Sequence, residues 1–301
     1  LYFEYPVTED GKQAARELAK AGLPVLKSGT PRAARELERA ERLFSRRQYT
    51  DARTAFAALA KIEKGPTREL VQLRVAECDY HLRRYRQASR ALRPFLTSAT
   101  LGVEASYYYL SALRGLGQRA EYVKRARQLV GEHPETPWAE RTLDELGSHY
   151  IIIDEDDKAE DVFLEVLDRY PSSDIAQRAG WKAGWWAYRQ KQYQQAAEIF
   201  ERSAAAFPRS NYRPAYLYWS AKARERLGAR DTAVARYRLT IADYANLYYG
   251  RRAAARLEEL RVASREGAAS AGQPASLAVS SQTKPDGVDT ERLGWLIRAG
   301  M

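Results

Sequence analysis

The chain has 301 residues, of which 45% are hydrophobic, and a formal net charge of +10. This length allows a large buried core, in ordinary domains or in a stacked repeat array. No run approaches the roughly 18 apolar residues of a membrane-spanning helix, so no transmembrane segment is predicted. The single cysteine, Cys78, excludes an internal disulfide. Cys78 lies in an apolar helical context, which indicates a buried structural thiol.

The composition favours an all-α fold, because Ala, Leu, Arg and Glu dominate and lose little conformational entropy in helices. The positive charge suits an anionic partner such as nucleic acid, phospholipid headgroups or an acidic cell-wall polymer. However, the 11 Lys and 38 Arg are spread along the chain, as solvated helix faces would be. We therefore expect no nucleic-acid partner, while peripheral membrane contact stays open.

Residues 1–30 are predicted to form an entry segment with one short helix at about 8–22. From residue 31 the sequence repeats, and the period of 37 residues is clearest at Pro134, Pro171 and Pro208. Such a period is the signature of a repeat architecture. Because proline cannot continue a helix, each proline is expected to follow the second helix of a pair.

Small residues occupy two further columns of this repeat, and they allow helices to approach closely. The first column holds Gly147, Gly184 and Ala221, and the second holds Ala159, Ala196 and Ala233. Weaker copies upstream carry Tyr49 with Ala52 and Tyr85 with Ala88. The pattern predicts tetratricopeptide-like helix pairs at 33–62, 67–96, 103–131, 137–170, 174–207 and 212–244, and a capping helix at 248–262.

The predicted fold is thus an all-α α-solenoid, a right-handed superhelix of tetratricopeptide-like helix pairs spanning 31–262. Residues 263–288 turn to Ala, Ser, Gly and Pro, which is typical of a flexible linker or an insertion. Residues 289–301 return to a helical pattern and are predicted to begin a further helical unit.

No catalytic, metal or cofactor site is predicted. His81, His133 and His149 lie in different repeats without a second ligand at helical spacing. The acidic run at 154–157 lacks the ligand spacing of a calcium loop, and its first residue coincides with Lys191 in the repeat, which indicates a solvated turn. Phosphate-loop and nucleophile motifs are absent from the sequence.

Aromatic residues are frequent in the later repeats. Trp181, Trp185 and Tyr188 share one helix face, whereas Trp186 lies off it. Core packing is the common role of each ring taken singly, but rings beyond the core face would suit sugar rings or peptide in a groove. We predict seven groove contacts: Trp181, Trp185, Trp186, Tyr216, Trp219, Tyr248 and Tyr249.

Two late segments, YWSAKARERLG at 218–228 and YYGRRAAARL at 248–257, resemble the helical superhelix of soluble lytic murein transglycosylases. In that family such stretches precede a linker domain and a lysozyme-like catalytic domain. The resemblance implies a periplasmic protein directed at peptidoglycan glycan strands. It carries over no catalytic residue, because this chain lacks the Glu-Ser pair that marks the family's acid/base glutamate.

Two functions remain open. The first is a non-catalytic scaffold that holds or positions glycan strands or partners for a catalytic domain outside this chain. The alternative is a tetratricopeptide-type protein–protein adaptor of the bacterial cell envelope, because the same repeats would support docking of envelope proteins.

Overall fold

The computed structural model describes residues 1–21 and 25–270, and side chains as far as residue 261. The described residues form α-helices and one short 3-10 helix, without a β-strand. A first helix, α1 (Glu9–Lys20), precedes six helix pairs and a last helix. The pairs are α2 (Pro31–Ser45) with α3 (Tyr49–Ile62), α4 (Gly65–His81) with α5 (Tyr85–Leu92), α6 (Gly102–Gly115) with α7 (Arg119–Glu132), α8 (Pro137–Ile152) with α9 (Asp156–Arg169), α10 (Asp174–Arg189) with α11 (Tyr193–Ala206), and α12 (Arg213–Arg226) with α13 (Arg230–Tyr244), and α14 (Tyr248–Ser270) follows.

The first helix of several pairs begins at a side-chain cap. The hydroxyl of Thr30 accepts a hydrogen bond from the backbone N–H of Ala33 at 3.2 Å, and that of Ser173 accepts from Ala176 at 3.0 Å. Such caps satisfy backbone donors that have no partner within the helix. At the other end, α9 stops at Arg169, two residues before Pro171, so the predicted role of the repeated prolines is confirmed.

Every pair turns at a residue with a left-handed backbone. The φ angles lie between 59° and 75° at Arg47, Arg83, Gly117, Asp154, Lys191 and Gly228. Only two of these six residues are glycine, which is the residue that adopts this conformation without steric cost. The acidic run therefore begins at an exposed hairpin turn, as predicted.

The small-residue columns mark the closest contacts within a pair. A Cβ atom added at Gly147 would lie 2.7 Å from the ring of Phe163, and one at Gly184 would lie 2.5 Å from the ring of Phe200. Ala159 in the second column is also buried. The predicted close approach of the helices is confirmed, because each glycine makes room for an aromatic ring of its partner helix.

The chain divides within α8 into two compact units, Leu1–Thr142 and Leu143–Met301. A core of the first unit surrounds Phe56 and includes Cys78, which is fully buried. Burial raises the pKa of the Cys78 thiol to about 12, so the predicted buried, unreactive thiol is confirmed. A core of the second unit surrounds Tyr218 and Tyr237.

The predicted all-α α-solenoid of tetratricopeptide-like pairs is confirmed, and the helix pairs begin and end within a few residues of their predicted bounds. The last helix differs, since α14 continues to Ser270 and includes the first residues of the predicted linker, where alanine supports helix. The rest of the linker and the predicted unit at 289–301 lie outside the described residues. None of the described helices has the length and apolar character needed to cross a membrane.

Candidate functional site

A small cleft of about 80 Å³, open to solvent on one side, lies in the second unit. It is bounded by the end of α8, the first half of α9 and the second half of α10. Its lining residues are Ile151, Asp154, Asp156, Ala159, Glu160, Phe163, Lys182, Trp185, Trp186 and Arg189. The cleft thus combines five apolar or aromatic residues with five charged ones, so its walls can pack against a ligand while its polar groups orient it.

Lys182 on α10 supplies a buried amine to the cleft. Only 7% of the residue is exposed. The amine donates a hydrogen bond to the Ser148 hydroxyl at 3.2 Å and lies 4.7 Å from the centre of the Phe163 ring. Burial, reinforced by the nearby Arg178 and opposed by Asp144, lowers the pKa of Lys182 to about 8. An ammonium group has three protons to donate, so this amine has capacity for a ligand.

Glu160 on α9 supplies a buried carboxyl group, with 8% of the residue exposed. Its Oε1 accepts a hydrogen bond from the side-chain amide of Gln195 at 3.1 Å. Burial, reinforced by the negative charges of Asp161 and Asp157, raises the pKa of Glu160 to about 7. Neither Lys182 nor Glu160 owes its shift to the other group, so the two do not neutralise each other. Perturbed groups in one cleft are typical of a functional site.

Two tryptophans form the aromatic wall. Trp185 is 4% exposed, whereas Trp186 is partly exposed with the Arg189 guanidinium 5.2 Å from its ring. The indole N–H groups of both residues are buried and have no hydrogen-bond partner among the described residues. Buried indole donors usually find a partner, and these two lie beside a cleft that has room for an acceptor.

The predicted aromatic stripe on α10 is present. Trp185 stacks on Trp181 at 5.9 Å and on Tyr188 at 6.1 Å between ring centres. Trp181 is 8% exposed, so both tryptophans of the stripe pack mainly in the interior. Trp219 from α12 meets Trp185 edge-to-face at 4.6 Å and remains partly exposed.

The other three predicted contacts lie outside the cleft. Tyr216 is fully buried, and its hydroxyl donates to the backbone carbonyl of Gln177. Tyr249 is partly buried, with its ring 5.4 Å from that of Tyr218, while Tyr248 is 52% exposed at the start of α14. The cleft therefore brings together Trp185 and Trp186 of the seven predicted residues, and a groove role for the seven stays a prediction.

Sequence reasoning missed Lys182 and Glu160, although the repeat contains a signal for Glu160. In the 37-residue period, Glu160 stands where later repeats carry Ala197 and Val234, which is an apolar column. Lys182 has no such signal, because its column also holds Glu145 and Arg256. A charged residue in an apolar column is expected to be a buried charge with a specific role.

A sequence model of the tetratricopeptide repeat family matches residues 178–210, from the middle of α10 to the turn after α11. This segment contains Lys182, Trp185 and Trp186. No curated protein matches the chain.

Solved structures of similar fold include PilF from Pseudomonas aeruginosa, at 14% identity and a TM-score of 0.49, covering 74% of this chain and 97% of PilF. MamA is similar at 18% identity and a TM-score of 0.42, covering 60% of this chain and 96% of MamA. MamA from Desulfovibrio magneticus RS-1 is also 18% identical, with a TM-score of 0.39 and coverage of 58% and 93%. With TM-scores below 0.5, these likenesses indicate nothing about function.

The predicted resemblance to lytic murein transglycosylases is wrong. The family that matches is the tetratricopeptide repeat, and no finding points to the transglycosylases. Helix packing accounts for the misleading segments. Gly250 is small because a Cβ there would collide with the Tyr244 carbonyl, and the Arg256 side chain forms an ion pair with Glu225 of α12. The chain thus has an all-α fold of tetratricopeptide-like helix pairs with a repeat-family match at residues 178–210, and a glycan-holding role has no support.

Proposed function

We propose that this chain is a non-catalytic adaptor that binds a segment of a partner protein in the cleft of its second unit. The observation that carries the proposal is the buried amine of Lys182 and the buried carboxyl of Glu160 in one cleft with tryptophan walls. The tetratricopeptide match at the same place supports it, since stacked repeats provide extended surfaces for binding.

The polar groups of the cleft favour a peptide as the ligand. Lys182 and the two indole N–H groups can donate hydrogen bonds to a ligand, whereas the carboxyl groups of Glu160, Asp154 and Asp156 can accept them. A peptide amide offers an acceptor and a donor side by side, so it satisfies both sets. Nucleic acid fits poorly, because its phosphates would meet three carboxyl groups.

The partner can be located by photo-crosslinking. A benzophenone amino acid in place of Trp186, at the partly exposed wall, is expected to yield an adduct with one polypeptide. The same amino acid in place of the exposed Arg209 serves as the control. Adducts with lipid or nucleic acid alone, or equal adducts from both positions, would contradict the proposal.

The affinity of the purified partner then tests the chemistry of the cleft. Lys182→Met keeps the volume of the side chain and removes the amine, so we expect binding to weaken by about tenfold or more, as for loss of a buried charged hydrogen bond. Glu160→Gln keeps an acceptor for Gln195 and tests the carboxyl group. Lys158→Met is the matched control, because Lys158 is exposed on α9 outside the cleft. Equal calorimetric affinities for Lys182→Met and Lys158→Met would refute the site.

The cell-envelope location of this adaptor remains a prediction. It came from the transglycosylase resemblance, and fractionation of cells that produce the protein would test it.

A further inference from the structure

Residues 2–4 lie along one face of α2 in the first unit, far in sequence from the cleft. This face presents arginines spaced by four and three residues, so their side chains follow one side of the helix. They are Arg35, Arg39 and Arg42. The three residues Tyr2, Phe3 and Glu4 each contact one or more of them, which makes the segment resemble a bound peptide.

The two aromatic rings lie under guanidinium groups. The guanidinium carbon of Arg39 is 4.2 Å from the centre of the Tyr2 ring, and that of Arg35 is 4.6 Å from the centre of the Phe3 ring. These distances place both pairs within the range of cation–π attraction. The Tyr2 hydroxyl also donates to the carboxylate of Glu36 at 3.0 Å, so this ring is fixed at both its face and its hydroxyl.

Arg42 contacts both the backbone of Phe3 and the side chain of Glu4. One of its nitrogens donates to the carbonyl oxygen of Phe3 at 2.7 Å, and another lies 3.0 Å from the carboxylate of Glu4. The planar guanidinium suits such two-point contacts. The side chains of Leu1 and Tyr5 take little part, because the two residues are 68% and 59% exposed, and the Tyr5 backbone bonds Leu1 and Thr8 instead of α2. The α2 face therefore selects an aromatic, aromatic, acidic sequence.

The segment fills this surface only in part. An open pocket of about 370 Å³ adjoins Tyr2 and Phe3 and is lined by Leu18 of α1 and by Pro31, Arg32, Arg35 and Glu36 of α2. Tyr2 and Phe3 themselves remain partly exposed. Contacts made by arginine side chains at a partly open surface can be exchanged without opening the helix core.

We infer that the Arg35–Arg39–Arg42 face of α2 is a docking site for an aromatic–aromatic–acidic segment of a partner protein, and that residues 2–4 occupy it in cis. The inference does not depend on the cleft of the second unit. Occupancy in cis gives a high effective concentration, so a partner segment must displace residues 2–4 before it binds.

A fluorescein-labelled peptide of sequence LYFEYP tests the inference by anisotropy with the full chain. The double variant Tyr2→Ser, Phe3→Ser cannot fill the site in cis, and we expect it to bind the peptide about tenfold or more tightly than the wild type. Adding Arg42→Ala to this variant is expected to reduce binding about tenfold or more. Arg46→Ala, at an exposed residue just beyond α2, should leave binding unchanged, and a scrambled peptide should not bind.

Several outcomes would overturn the inference. Residues 2–4 are a fixed cap of the first repeat if the wild type and the double variant both fail to bind the peptide, or if they bind it equally. The same conclusion follows if Arg42→Ala does not change the affinity of the double variant. Circular dichroism of each variant shows whether the helices are intact. Arg39→Lys provides a second, gentler change, because it keeps the charge and removes the planar group that stacks on Tyr2, and it should also weaken binding.

Discussion

Glu77 on α4 is expected to make the stability of the first unit depend on pH. The Arg74 guanidinium contacts Glu41 at 3.0 Å, Glu77 at 2.7 Å and Glu104 at 2.9 Å. One cation cannot neutralise three carboxylates, and Glu77 is the most deeply buried, with no exposed surface and no partner for its Oε1. Burial raises the pKa of Glu77 to about 8, and this effect outweighs the opposing charge of Arg74.

The size of the effect follows from the two pKa values. The folded state binds the Glu77 proton more tightly than the unfolded state, whose pKa is 4.5. Raising the pH therefore favours unfolding between pH 4.5 and about 8. Each pH unit in this interval lowers the free energy of unfolding by about 1.4 kcal/mol. By pH 7 the folded state has lost on the order of 3 kcal/mol of stability relative to pH 4.5, because Glu77 is still mostly protonated when folded but is ionised when unfolded.

Glu77→Gln removes the titrating carboxyl group and keeps the volume and an acceptor for Arg74. The variant and the wild type should have similar stability near pH 4.5, and the variant should gain an advantage on the order of 3 kcal/mol by pH 7. Urea unfolding followed by circular dichroism across this range measures the difference. Glu69→Gln is the control, because Glu69 is exposed on the same helix. A stability difference that does not change with pH, or a variant less stable than the wild type at pH 8, would refute the reasoning.

Three further changes test the packing of the repeats by thermal and urea unfolding. Gly184→Ala should destabilise the second unit by about 1–3 kcal/mol, because the added methyl group meets the Phe200 ring at 2.5 Å. The control Gly131→Ala, where nothing lies within 4 Å, should instead stabilise the protein by up to about 1 kcal/mol. Equal effects of the two substitutions would be inconsistent with close packing at Gly184. Lys191→Gly should stabilise by up to about 1 kcal/mol, since it relieves a φ of 63°, and a loss of stability would contradict this. Lys182→Met should raise the free energy of unfolding of the second unit most below pH 8, and this gain over the wild type should vanish above pH 10.5. The reason is that the folded state binds the lysine proton less tightly than the unfolded state. A gain that is the same at every pH would refute the buried amine.

The helix pairs could be predicted from the sequence because the signals that specify them are local. Proline ends a helix through its own ring, and a glycine in a regular column reports a close approach to the neighbouring helix. Pro171 therefore marked the end of α9, and Gly184 marked the contact of α10 with Phe200 of α11. In a repeat protein each pair packs mainly on its neighbours, so a pattern along the chain translates directly into a stack.

The family could not be identified from the same residues. The segments that resembled a transglycosylase contain Tyr218, Gly250 and Arg256, and each is explained by a contact within the stack. Aromatic, glycine and arginine residues at helix crossings recur wherever such helices pack. A short motif in a helical repeat is therefore evidence of helix packing and does not by itself identify a function.

Composition and spacing alone determined that this chain is all-helical, where its pairs turn and which small residues its helix crossings need. Only the tertiary structure decided that Lys182 and Glu160 share a cleft, that Arg74 joins three carboxylates and that residues 2–4 lie under the arginines of α2. Each of these sites combines side chains from separate helices or segments. Their meeting depends on how those elements pack together, whereas helix propensity and capping act within a few residues of the chain.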